Sequence, residues 1–288
     1  MQSTTIGQLR QQFKKHLSSV YTPREAGNMV DWLLQDRLRL KYVSDLVLQA
    51  NELVDEHLQS QLNADMEKLA SNMPIQHVLG YAHFLDLKLK VNEHVLIPRP
   101  ETEELVSEIS KLLDGSTGKN VLDIGTGSGC IPLGLAAENA NHNYTGVDVS
   151  TKALSVAKEN AKLNNLKVDF KYFDILNRDN WNELGEFDII VSNPPYIPAN
   201  DESSLEIHVA KREPHLALFS PTENPLLFYD VIGDFGMKHL STNGYLFFEL
   251  NAELGIETKT LIENKGYKAE IIKDLQENNR ILKAQKHD

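Results

Sequence analysis

A single cysteine, Cys130, is all the thiol chemistry the chain carries, so no internal disulfide framework can form. That composition suits a reducing compartment. No window approaches about 18 consecutive apolar residues, which leaves nothing to cross a bilayer as a helix. The opening stretch MQSTTIGQLRQQFKKHL lacks the apolar run of a signal peptide, and the expected setting is the cytoplasm, away from any membrane. Repeats of fixed period and low-complexity segments are also missing. Positive charge is in short supply: 29 Lys and Arg face 41 Asp and Glu, a formal charge of −12. Such a surface repels phosphate backbones at long range, which argues against a general nucleic-acid clamp but leaves room for a local basic patch. The ten histidines show neither H-E-x-x-H nor paired-cysteine spacing, so no metal site is expected.

What remains is a chain of 288 residues, 41% hydrophobic, enough for one sizeable core and a smaller one. The first 75 or so residues read as helices. Ile6, Leu9, Phe13, Leu17 and Val20 recur three or four apart on one helical face. Thr22-Pro23-Arg24-Glu25 is a capping box with proline at the first helical position. Ser44-Asp45 opens a further helix, and Gln49 to Ala70 reads as another. The pattern then changes period. Leu85, Leu87, Leu89 and Val91 alternate with polar residues, a half-buried strand. Asn92-Glu93-His94 reads as a turn and Val95-Leu96-Ile97 as the returning strand, so residues 76–100 form a hairpin linker between a helical domain (1–75) and a larger domain (101–288).

From Asn120 onward strands and helices alternate, beginning with VLDIG and YTGVDV and ending with YKAEII and RILKAQ. Alternation predicts an α/β fold with a mostly parallel sheet covered on both faces. The last two strands are too closely linked for a crossover helix and must pair antiparallel. Seven strands with one late reversal is the Rossmann-like plan of the common methyltransferases.

DIGTGSGC follows the first of these strands and opens a helix. Gly125, Gly127 and Gly129 let the backbone turn tightly and approach a ligand. A dinucleotide site has G-x-G-x-x-G/A; here the spacing is G-x-G-x-G, with Cys130 in the third glycine's place. A Walker loop needs a lysine that is missing. The spacing of Gly125, Thr126, Gly127, Ser128 and Gly129 resembles an adenosylmethionine-binding loop. Asp148 ends the next strand about twenty residues on, where a carboxylate can take two ribose hydroxyls; it could simply help cap the helix after Ser150, but its position after a strand in this order favours the ribose role. Asp123 braces the loop or meets a ligand ammonium group. Asp174 and Ile175 close the third strand and flank an adenine, with Phe173 or Leu176 as alternatives.

The fourth strand ends in Asn193-Pro194-Pro195-Tyr196. Ligands in open α/β sheets lie beyond the carboxyl ends of the strands, so this corner meets the methyl acceptor unless it is only a proline-rich turn. A planar –NH2 nitrogen is a poor nucleophile because its lone pair is delocalised. The Asn193 side-chain oxygen and the Pro194 carbonyl can hold its two N–H bonds, with φ of the prolines fixed near −65°. Tyr196 then packs on the acceptor's flat face.

LIPRPETEELV (Leu96 to Val106), VLDIGTGSGCI, VSNPPYIP and EPHLAL (Glu213 to Leu218), with HVLGYAHFLDL (His77 to Leu87), together resemble the protein-(glutamine-N5) methyltransferases of peptide chain release factors. The resemblance implies methylation, by S-adenosyl-L-methionine, of the glutamine amide in the Gly-Gly-Gln loop of class 1 release factors. It places Gly125 to Gly129 on the methionine part, Asp148 on the ribose, Asn193 on both ligands, and Asn193 to Tyr196 on the glutamine. Arg99, Glu101 and Thr102 would line the pocket or order its lid. In FFELNAELG, Glu249 matches the family pattern and the residues after it depart from it. The motif NPPY is shared with adenine-N6 methyltransferases of DNA or RNA, the alternative, against which the acidic charge counts; a third reading is a non-catalytic adenosylmethionine-binding protein.

Overall fold

The computed structural model describes residues 4–198, 213–274 and 276–286. The chain divides into two compact units, one ending at Gly80 and the other beginning at Tyr81.

The first unit is helical. Its elements are β1 (Thr4–Thr5), α1 (Ile6–Leu17), α2 (Pro23–Arg37), α3 (Asp45–Leu48), β2 (Leu53–Val54), α4 (Glu56–Ala70) and α5 (Ile75–Leu79). Both of the first two helices carry complete capping boxes, Thr5 with Gln8 and Thr22 with Glu25, each satisfying otherwise orphaned N–H groups. Leu9, Phe13, Leu17, Leu33, Leu62 and Leu69 fill the core. Arg37 ties the elements together by donating to the buried Asp65 at 2.8 Å and to the Val78 carbonyl at 2.9 Å. Two expectations are corrected. Helix α1 stops at Leu17, which leaves Val20 43% exposed instead of on the apolar face. Helix α4 begins at Glu56 and not near Gln49, because the Asp55 side chain accepts from Leu58 N at 2.9 Å and caps it there. The residues just ahead pair as β2 with β1.

The second unit opens with the hairpin β3 (Tyr81–Phe84) and β4 (Leu87–Lys90), then α6 (Pro100–Leu113). The hairpin's strands differ from those expected: Phe84 pairs with Leu87, and Val95 to Ile97 form no strand. The turn rests on Leu85 at φ +49°, which the sequence does not announce because the residue is neither glycine nor asparagine. Its N–H donates to Glu103 Oε1 of α6 at 2.8 Å, and its side chain packs against the core. Val95 and Ile97 are instead buried with Ala82, Val91, Ala153 and Val156.

The remaining elements are β5 (Asn120–Ile124), α7 (Cys130–Glu138), β6 (Asn143–Asp148), α8 (Thr151–Leu163), β7 (Asp169–Tyr172), β8 (Phe187–Ser192), α9 (His215–Leu218), α10 (Leu227–His239), β9 (Leu240–Glu249), α11 (Gly255–Glu263), β10 (Tyr267–Lys273) and β11 (Asn279–Lys286). They build a seven-stranded sheet in the order β10-β11-β9-β8-β5-β6-β7. Strands β5 to β9 pair parallel, and β11 lies antiparallel to both β9 and β10. The expected α/β sheet with one late reversal is therefore present. Successive side chains alternate between the faces: Leu122 and Phe248 join a core with Phe235 and Ile232 of α10, while Val121 and Phe247 join one with Val106, Leu133 and Leu154 from α6, α7 and α8.

Candidate active site

The carboxyl ends of β5, β6, β7 and β8 open onto a cavity of about 610 Å³. The strand order reverses between β5 and β8, the place where open α/β sheets bind ligands. Several chain segments that lie apart in sequence supply its walls, and four of them hold the residues expected to meet donor and acceptor.

The first is the glycine loop. Gly125, Gly127 and Gly129 take φ of +76°, +55° and +81°, a region that side-chain-bearing residues avoid. They serve two purposes. A Cβ added to Gly125 meets nothing within 4 Å, so that backbone faces open space, whereas one on Gly129 comes within 3.0 Å of Phe170 and 3.2 Å of Ala157. Gly129 is thus needed for helix-to-sheet packing, and Gly125 for access. Gly125 N and Thr126 N both donate to the Val147 carbonyl, at 2.9 and 3.0 Å, which pins the loop to β6. Thr126, Gly127 and Ser128 also line the cavity.

The second is Asp148. Its Oδ2 accepts from Gly127 N at 2.9 Å and its Oδ1 from Ser150 N at 2.8 Å. One carboxylate therefore shapes both the glycine loop and the start of α8, while Ser150 itself caps that helix by accepting from Ala153 N at 3.1 Å. Each oxygen retains a lone pair for a hydroxyl, and Asp148 lines the cavity. Burial raises its pKa from the ordinary aspartate value against the pull of these N–H groups.

The third segment follows β7. Phe173, Asp174, Ile175 and Leu176 all line the cavity, so the pair expected beside an adenine and both alternatives to it share one wall. Asp174 Oδ1 accepts from Leu176 N at 2.9 Å, which fixes the turn.

The fourth is the corner after β8. Asn193, Pro194 and Pro195 line the cavity; Asn193 is half-buried. Ser192 Oγ donates to the Ile124 carbonyl at 2.7 Å and locks the corner to the glycine-loop strand. Beyond it, Ile197 N donates to the Leu218 carbonyl at 3.2 Å and Ser220 N to the Ile197 carbonyl at 2.7 Å. Tyr196 departs from expectation: it does not line the cavity, and its ring packs against the core cluster that holds Phe248 and Tyr229. Burial, then the charge of Glu249, raises its phenol pKa, so the hydroxyl keeps its proton at neutral pH.

Of the three residues named from the PRPET run, Arg99 and Thr102 line the cavity and Glu101 does not. Arg99 forms an ion pair with the buried Glu213 at 2.5 Å, and Glu213 also accepts from Ile97 N at 3.3 Å, which joins the PRPE and EPHLAL segments. Asp123 does not line the cavity. It is buried beneath the glycine loop, with neither oxygen hydrogen-bonded among the described residues, and burial pushes its pKa up to about 7. Burial also pushes the Cys130 thiol up to about 12, so no thiolate forms there. Among the described residues no group of His, Cys, Asp and Glu is arranged to hold a metal ion, and no helix is long and apolar enough to cross a membrane.

One supporting residue escaped the sequence. Asn160, fully buried on α8, accepts from Lys90 N at 2.6 Å and donates to the Lys90 carbonyl at 3.1 Å and the Ser128 carbonyl at 2.9 Å. It clamps the hairpin to the glycine loop. The available signal was a carboxamide on the apolar face shared by Leu154, Ala157 and Ala161.

The site fits an adenosyl donor. Open space faces Gly125, a carboxylate suited to a diol sits at the end of β6, and Ile175 and Phe173 give an apolar wall.

Comparison with known proteins adds to this geometry. Residues 101–212 match the model of the methyltransferase small domain, and residues 8–80 match that of the PrmC N-terminal domain. A release factor glutamine methyltransferase of Flavobacterium psychrophilum is 42% identical over 97% of this chain and 98% of its own length. One of Bacteroides thetaiotaomicron is 36% identical over 94% of this chain and 96% of its own. A crystal structure of a methyltransferase from Pyrococcus furiosus superposes with a TM-score of 0.51 at 17% identity, covering 81% of this chain and all of that one, which bears on the fold alone.

Proposed function

Because the chain belongs to the release factor glutamine methyltransferases, we propose that its cavity binds S-adenosyl-L-methionine and that the Asn193–Pro194 corner receives the glutamine of the release factor's Gly-Gly-Gln loop. The enzyme is an S-adenosylmethionine-dependent transferase that methylates the side-chain amide nitrogen of that glutamine. The observation that carries the reading is a juxtaposition: Asn193, Pro194 and Pro195 share one cavity with the glycine loop and Asp148.

When bound, the donor supplies a methyl group on a positively charged sulfur, which departs as a neutral thioether. The chain's residues do the rest. Gly125 to Ser128 give the donor's methionine end room against the backbone, and Asp148 takes the ribose hydroxyls. Phe173, Asp174, Ile175 and Leu176 enclose the base. At the acceptor, Asn193 Oδ1 and the Pro194 carbonyl oxygen each accept one N–H of the amide. Held through both hydrogens, the nitrogen is aimed and can turn tetrahedral as its bond to carbon forms. No strong base is required beforehand. The methylated nitrogen carries the positive charge and sheds one proton to water afterwards. Orientation of this kind supplies roughly 7–11 kcal/mol in favourable cases. An acceptor lacking one N–H leaves a carbonyl unpaired, a penalty on the order of 1–3 kcal/mol, so the corner selects a planar –NH2 group. A release-factor substrate supports a cytoplasmic setting, and the match of residues 8–80 to the PrmC N-terminal domain supports a role for the helical unit in holding that partner.

The test mixes purified protein, methyl-labelled donor and either release factor or adenine-rich DNA. Label should appear on the release factor and vanish when its Gly-Gly-Gln glutamine is changed. Label on the DNA, or donor binding with no transfer, would refute the proposal.

A further inference from the structure

Asn193 works only one way round. A carboxamide has two ends of nearly equal size, one accepting and one donating. Turned over, it would set an NH2 against the acceptor's N–H, and the clasp would become a repulsion. Something must choose the orientation before the substrate arrives.

Glu249 is placed to do so. It ends β9 beside the end of β8, where Ser192 pairs with Phe248, so Asn193 and Glu249 occupy the next matching positions on adjacent strands. Glu249 is 4% exposed and lies outside the cavity lining. Its Oε2 accepts from Thr102 Oγ1 at 2.7 Å, and the strand register sets its carboxyl beside the Asn193 side chain. Burial raises the pKa of this carboxyl, and the contacts with Thr102, Arg280 and Asn193 oppose the rise. In its carboxylate form Glu249 can only accept, so Asn193 turns its NH2 to it and leaves Oδ1 for the cavity. We infer that Glu249, held by Thr102, is the positioning residue that fixes the Asn193 carboxamide with its oxygen toward the acceptor nitrogen. This rests on the methyl-transfer reading above and adds to it a residue that touches neither substrate. The carboxylate form on the NH2 side also polarises the carboxamide, making Oδ1 a better acceptor as positive charge grows on the substrate nitrogen.

Glu249→Gln tests the assignment. Glutamine keeps the shape but can offer its own NH2 to Asn193, which permits the wrong orientation. With release factor as acceptor, kcat should fall on the order of 100-fold, as for a misplaced reacting group, with donor affinity and melting temperature little changed. In an Asn193→Ala background the same change should do almost nothing further, since there is no carboxamide left to orient. A purely structural role would lower stability and act equally in both backgrounds. Unaltered kcat in Glu249→Gln, or an undiminished effect on top of Asn193→Ala, would overturn the inference. Should Glu249→Gln fail to fold, Thr102→Val decides it: lowered kcat at unchanged donor affinity upholds the inference, and unchanged kcat overturns it. Failure of the unaltered enzyme to methylate release factor would instead sink the proposed function, a separate result.

Discussion

Replacing Asp123 by asparagine should stabilise this protein, and by more the higher the pH. Asp123 occupies the face of β5 that it shares with Val121, a position for an apolar side chain, and neither oxygen is hydrogen-bonded among the described residues. Burial is the chief reason its pKa rises from 3.8 to about 7, with the charge of Asp148 adding to it. The Thr126 hydroxyl opposes the rise but closes no hydrogen bond. Below about pH 4 the carboxyl is protonated in folded and unfolded chains alike, and it exacts no electrostatic penalty. Between about pH 4 and pH 7 the unfolded chain ionises first, so the unfolded state binds fewer protons and stability declines as pH rises. Above that window the full penalty applies, about 4 kcal/mol at roughly 1.4 kcal/mol per pH unit. Asparagine has the same shape and never ionises. The advantage of Asp123→Asn should therefore grow from near zero at about pH 4 to about 4 kcal/mol at about pH 8, a shift in melting temperature of roughly 10 °C for a domain of this size. Paired thermal melts of the two proteins across this range, omitting the neighbourhood of the pI near 5.3, read the difference directly. Parallel stability–pH curves would refute the reasoning.

Other consequences of the site are as direct. Asp148→Ala should weaken donor binding on the order of 10- to 100-fold, the loss of hydrogen bonds to a charged group, and calorimetric titration finding unchanged affinity would remove its ribose role. Gly129→Ala should lower stability by about 1–3 kcal/mol through overpacking against Phe170 and Ala157, measured by urea unfolding. Gly125→Ala shares the strain of a positive φ but has no such neighbours, and its Cβ should obstruct the donor, so it should lose less stability and more donor affinity than Gly129→Ala. The reverse ranking would contradict the division of labour between the two glycines.

The parts of the site legible in the sequence are those built from neighbours along the chain. A glycine loop, a carboxylate at a strand end and an asparagine before two prolines each announce themselves within a few residues, and alternation of strands and helices places all of them at one sheet edge. What escaped depends on residues far apart. Asn160 meets Lys90 and Ser128 across 70 and 32 residues of chain, and Glu213 meets Arg99 across 114; no local pattern encodes such pairings. The hairpin register slipped because its turn is held by Glu103 and the packing of Leu85 and not by turn-forming residues. Tyr196 follows the prolines in sequence, yet its ring turns to the core, since a side chain's direction after a fixed-φ corner depends on the packing it meets.

The central claim is that an unreactive planar nitrogen is made to attack by being held through both hydrogens at the end of β8. The rate of a single turnover by Asn193→Ala, with donor and release factor both saturating, tests it most directly. Loss of one of two preorganised partners should slow methyl transfer on the order of 100- to 1,000-fold, and a rate close to that of the unaltered enzyme would contradict it.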